Sequence, residues 1–68
     1  MNAYITAARP KDVAGDVEDA RRRGCTSFTL RSVDQGGMLD QERLGAARYA
    51  AGVQAVVGLE VAVAAQRR

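Results

Sequence analysis

The chain has 68 residues, ten of them basic and eight acidic, for a formal net charge of +2; 47% are hydrophobic, one is cysteine and none is histidine. A single cysteine excludes an internal disulfide, and the lack of histidine removes the commonest general base and the commonest zinc ligand. Any metal site would have to be built from carboxylates, which suits a hard ion such as magnesium.

The first element expected is a short strand over residues 2–7, where Tyr4, Ile5 and Thr6 are strand formers. Pro10 then suits the first turn of a helix, because its missing N–H would be unpaired there anyway. The spacing predicts that helix over 11–23, with Val13, Val17 and Ala20 on one face. Asp12 and Asp16 near its start and Arg21, Arg22 and Arg23 at its end complement the helix dipole. Glu18 with Arg22 and Asp19 with Arg23 are spaced as favourable pairs. Gly24 is placed to end the helix in a left-handed conformation.

Residues 27–33 alternate Phe28, Leu30 and Ser32 against Thr29, Arg31 and Val33, the period of a strand. Asp34, Gln35, Gly36 and Gly37 have loop chemistry. A second helix follows over 39–51, with Asp40 as its N-cap, Leu44, Ala47 and Ala51 on one face, Tyr49 flanking that face and Gly52 closing it. Residues 53–65 are open to two readings. Alternating Leu59, Val61 and Val63 favour a strand over 59–63, whereas the alanines permit a helix that Gly58 would interrupt.

Strands separated by single helices imply an α/β unit of βαβαβ order with a small parallel sheet, resembling part of a TIM-type barrel and occupying 1–68 as one unit. About 60% of the unfolded chain's surface is buried in a domain of this size. Two helices on one face leave the other face open and both sheet edges free, so association is expected, either as a homo-oligomer or with the remainder of a barrel. Scarce aromatic residues and interspersed charges argue against a nucleic-acid surface. No apolar run reaches the length of a membrane span and no leader pattern opens the chain, so neither a membrane nor secretion is expected. With a lone cysteine, the reading is cytoplasmic.

In such folds ligands gather at the carboxyl ends of strands. Arg31 and Asp34 are the ligand-binding candidates there. Arg31 suits a carboxylate or phosphate, or is an exposed strand residue paired with Asp34. Asp34 and Asp40 can hold magnesium or serve turn and cap. Gly36 and Gly37 can cradle an anion before a helix, although the nearby aspartates repel one and a plain loop explains them. Cys25, with no histidine to activate it, reads as a small buried residue. Arg21, Arg22 and Arg23 with Arg67 and Arg68 read as a solvated face rather than a phosphate site.

Asn2-Ala3-Tyr4-Ile5, the helix ending Arg23-Gly24-Cys25, and Phe28-Thr29-Leu30-Arg31 together resemble the start of an enolase-superfamily barrel, of the o-succinylbenzoate synthase and muconate-lactonising type. Leu39 to Leu44 with Ala46, Ala47, Arg48 and Gly52 is similar to the next helix. Leu59 to Ala64 stands where the family has a third strand ending in L-x-x-D-x-N. The resemblance implies a lyase or isomerase parent that removes a proton beside a carboxylate with magnesium's help. It also implies that Thr29 and Arg31 occupy the family's lysine positions, and that Ala62 and Ala64 occupy those of its first metal-binding aspartate and the neighbouring asparagine. The expectation is a segment without activity of its own, with no catalytic residue and no cofactor, since a full barrel takes about 250 residues.

Overall fold

A computed structural model describes residues 1–61. The elements follow in the order β1 (Asn2–Ile5), α1 (Pro10–Arg22), β2 (Ser27–Arg31), α2 (Met38–Ala51) and β3 (Val56–Glu60). The three strands form one parallel sheet in the order β1-β2-β3. The register sets Asn2 beside Ser27 and Ser27 beside Val56, so equivalent residues lie in rows across the sheet. The βαβαβ order and parallel pairing agree with the reading of the sequence.

Both helices lie on one face. Ile5, Phe28 and Leu30 point under them and meet Val13, Val17 and Ala20 of α1 and Leu44, Ala47, Ala50 and Ala51 of α2. This is the period-two face of the strands closed by the two helical stripes. Cys25 joins the core as a small buried residue. Gly24 has φ +97° and lets the chain turn from α1 into β2; Gly52, at φ +93°, does the same between α2 and β3. Arg21 ties the helix ends together by donating from Nη1 to the Ala50 carbonyl at 3.1 Å.

Several boundaries differ from expectation. Among the described residues the last strand is Val56–Glu60, earlier than the 59–63 expected; Val61 follows it, and Val63 lies outside the described residues. Gly58 sits inside this strand on the open face, where a missing side chain costs no packing. Tyr49 does not flank the core: it is 92% exposed. The α1 ion pair is Asp19 with Arg22, 3.1 Å apart, in place of the two pairings four residues apart expected from spacing. No helix of the described residues is long and apolar enough to cross a membrane.

Candidate functional site

The carboxyl ends of the strands are where the fold offers a ligand site, and there the chain builds a closed polar network. Asp40 and Arg43, in the first turns of α2, are both wholly buried and paired at 2.9 Å. Arg43 spans the ends of two strands. Its Nε and Nη2 donate to the Ala7 carbonyl at 2.9 and 2.7 Å, and its Nη1 donates to the Arg31 carbonyl at 2.8 Å. The guanidinium fork thus ties the segment after β1 to the end of β2.

Asp40 holds the loop over 32–37. It accepts from Ser32 Oγ at 2.5 Å, from the Val33 N–H at 2.9 Å and from the Gly36 N–H at 2.6 Å, besides Arg43. Ser32 Oγ accepts in turn from the Gln35 N–H at 2.8 Å. The loop can wrap the carboxylate because Gln35 and Gly36 take positive φ, 56° and 84°. Burial pushes the Asp40 carboxyl up, but the hydrogen bonds from Ser32, Val33 and Gly36 outweigh it and hold the group below the usual carboxylate range.

That depression has a consequence for acid stability. Unfolded, the group titrates near pH 4, so below that the unfolded chain binds more protons than the folded one. Stability therefore rises with pH through the acid range and is level with respect to this group above about pH 5. Urea midpoints measured across acid to neutral pH are expected to fall only on the acid side. In Asp40→Asn, if it still folds, that slope should flatten; an equal slope would assign it to the exposed carboxylates instead.

Asp40 is therefore not the N-cap of α2. The helix begins at Met38 and its N-cap position is Gly37, which has no side chain to offer. Asp34 serves instead from the loop, accepting the N–H groups of Gly37, Leu39 and Asp40 at 3.1, 2.9 and 3.0 Å. Gly37 must stay small, because a Cβ there would lie 2.7 Å from Asp34 Oδ2. The donors of Gly36 and Gly37 are thus already satisfied by carboxylates, which leaves no cradle for an anion.

Arg31 and Asp34 are not brought together. Arg31 is exposed on the face away from the helices, in register with Glu60, and makes no ion pair with Asp34. Its neighbours form a second polar patch. Tyr4 donates its hydroxyl across β2 to Glu60 Oε1. Asn2 Oδ1 accepts from Ser27 Oγ at 3.0 Å and Thr29 Oγ1 at 3.3 Å. The Glu60 hydrogen bond, then burial and the Glu60 charge, raise the Tyr4 pKa against the opposing charge of Arg31, so the phenol stays protonated near neutral pH. Arg31 can contact a carboxylate or phosphate, but the Glu60 carboxylate opposite it works against an anion. Arg9, beside the same ends, is engaged with Asp12 at 3.0 Å.

The amino ends of the strands carry a cleft of about 290 Å³ lined by Arg21, Cys25, Thr26, Gln54 and neighbours. Its one charged group, Arg21, already donates to Ala50. Among the described residues no three of His, Cys, Asp and Glu are grouped to hold a metal.

The sequence reading missed Arg43. A signal was present: residues 40, 43, 44, 47 and 51 fall on one helical face, so two charges stood on the apolar stripe of α2. No protein-family model, no curated protein and no solved structure matches this chain.

Proposed function

We propose that this chain is a non-catalytic α/β unit of enolase-superfamily type, and that it acts by joining its free sheet edges to further strands. Those strands come from a second copy of the chain or from the remainder of a barrel. The observation that carries this reading is the one-sided sheet: among the described residues helices cover one face only, and β1 and β3 each pair on one side. Unpaired edges of this kind invite strand addition.

The placement of Thr29 and Arg31 supports the family descent. Both lie on β2 facing away from the helices, the side that points inward in a barrel whose helices form the outer ring. The parent chemistry is magnesium-assisted proton removal beside a carboxylate, and it needs a base and metal ligands. Thr29 has no basic group, and Arg31 keeps its proton at any working pH. The residues do not fit magnesium. Asp40 is neutralised by Arg43 and hydrogen-bonded by the 32–37 loop, and Asp34 caps α2. Ala62 and Ala64, outside the described residues, have no ligand atoms in their side chains.

The test is a pair of measurements on the purified chain. Sedimentation velocity across a concentration series is expected to show assemblies above the monomer mass. Incubation with magnesium and an o-succinylbenzoate precursor is expected to give neither dehydration nor proton exchange. A monomer at every concentration would remove the association half of the proposal, and turnover would remove the non-catalytic half.

A further inference from the structure

The two helix-to-strand connections leave the cleft of about 290 Å³ described above. It is lined by Gly24, Cys25 and Thr26, which follow α1, and by Ala51, Gln54 and Ala55 at the end of α2 and after it. Glycine, cysteine and two alanines are too small to fill the space. Backbone hydrogen bonds hold the walls in place: the Cys25 N–H donates to the Ala20 carbonyl and the Val56 N–H to the Thr26 carbonyl, both at 3.1 Å. Arg21, in the last turn of α1, also lines the cleft and reaches α2 through its bond to Ala50.

We infer that this cleft binds a small monocarboxylate, with its carboxylate on Arg21, Thr26 and Gln54 and its short apolar body against Cys25, Ala51 and Ala55. The inference is independent of the association reading above.

The charge of Arg21 is open to a ligand. A guanidinium has five N–H donors, and among the described residues Arg21 uses Nη1 alone, toward Ala50. It is in no ion pair there. Thr26 and Gln54 are exposed, and among the described residues their side chains make no hydrogen bond. No acidic residue lines the cleft. Glu18, one turn before Arg21, lines a different groove with Arg22. A guanidinium matches the two oxygens of a carboxylate bidentately. A mostly apolar cleft with a few convergent polar groups is the usual form of a small-molecule site, and this one stands at the lower end of the range of about 300–1,000 Å³.

One negative charge fits better than two. Both helices end at this side of the molecule, and the partial negative charge of a helix C-terminus opposes an anion. Arg21, Arg22 and Arg48 in the last turns offset that effect. A phosphate dianion would still meet only one guanidinium in the cleft. The opposite side, where such folds usually take ligands, is filled by Arg43.

The experiment is an amide NMR titration of the whole chain with sodium butyrate, at an ionic strength held constant with sodium chloride. Saturable shifts are expected at Arg21, Gly24 to Thr26 and Gln54 to Ala55, with a dissociation constant on the order of 1 mM for so small a ligand. Butyramide, of the same shape but without charge, and inorganic phosphate are expected to bind about tenfold more weakly or worse. Gln54→Glu puts a carboxylate into the cleft at an exposed position and is expected to weaken butyrate by about tenfold or more. Arg21→Gln is expected to abolish the shifts. Far-UV circular dichroism checks that each variant folds; if Arg21→Gln does not, Gln54→Glu decides. No saturable shift at tens of millimolar butyrate would overturn the inference. So would equal binding of butyramide or phosphate, shifts centred on Arg22, Arg23 and Arg48 instead, or butyrate binding unchanged in Gln54→Glu.

Discussion

Arg43→Met is expected to unfold the chain. Removing one member of a buried ion pair costs about 3–5 kcal/mol, because the other charge is left buried without its partner. A core of this size supplies roughly 3–5 kcal/mol in all. The measurement is urea unfolding followed by circular dichroism, with the cooperative transition lost or moved to very low denaturant. Pairing it with Asp40→Leu makes the prediction sharper. Replacing both members of a buried pair with apolar residues is often neutral or stabilising. Here no recovery is expected, because the pair is also the hydrogen-bond partner of the surrounding backbone. The double variant strips acceptors from Ser32 Oγ and the Val33 and Gly36 N–H groups, and donors from the Ala7 and Arg31 carbonyls. Each buried group left unsatisfied costs about 1–3 kcal/mol. Wild-type stability in the double variant would mean that the network does not hold the carboxyl ends together.

Phe28→Ala is expected to be comparably severe. Phe28 is the one phenylalanine of the chain and is 1% exposed. Many of its core companions are alanines, namely Ala20, Ala47, Ala50 and Ala51, which have no side-chain freedom to close a cavity. Truncating a buried phenylalanine costs about 3–5 kcal/mol, and the upper part of that range applies where the surroundings cannot collapse. Thermal unfolding should change from a sigmoid to a shallow drift, while Phe28→Leu should keep a cooperative transition at a lower midpoint. An unchanged midpoint in Phe28→Ala would contradict the enclosure of this ring between sheet and helices.

Together these expectations assign the carboxyl ends a structural task. In a ligand-binding α/β unit that crevice stays open. Here Arg43 fills it and Asp40 holds the 32–37 loop over it. The open sheet face presents accessible polar groups, Tyr4, Arg31 and Glu60 among them. A chain arranged in this way offers surfaces for association, which is the basis of the function proposed above.

The sequence by itself determined the order and type of the elements, because those depend on local periodicity. Val13, Val17 and Ala20 marked one helical face; Leu44, Ala47 and Ala51 marked another; Phe28 and Leu30 marked the inner face of β2. Gly24 and Gly52 marked turns that need positive φ. Only the tertiary structure decided the role of Asp40. As a residue near a helix start it reads as a cap, and its burial depends on Arg43 together with Ser32, Val33 and Gly36, which the fold gathers around it. Arg43 stands on the apolar stripe of α2 in the sequence, but its role is set only when the ends of β1 and β2 bring two carbonyls to its guanidinium. The position of β3 was also a tertiary decision. The alternation read at Leu59 is the one observed, with Val57 and Leu59 toward the helices, but pairing with β2 sets the strand over Val56–Glu60. Local pattern fixes which face an element buries, whereas the burial of a charge and the extent of an edge strand are fixed by partners distant in the chain.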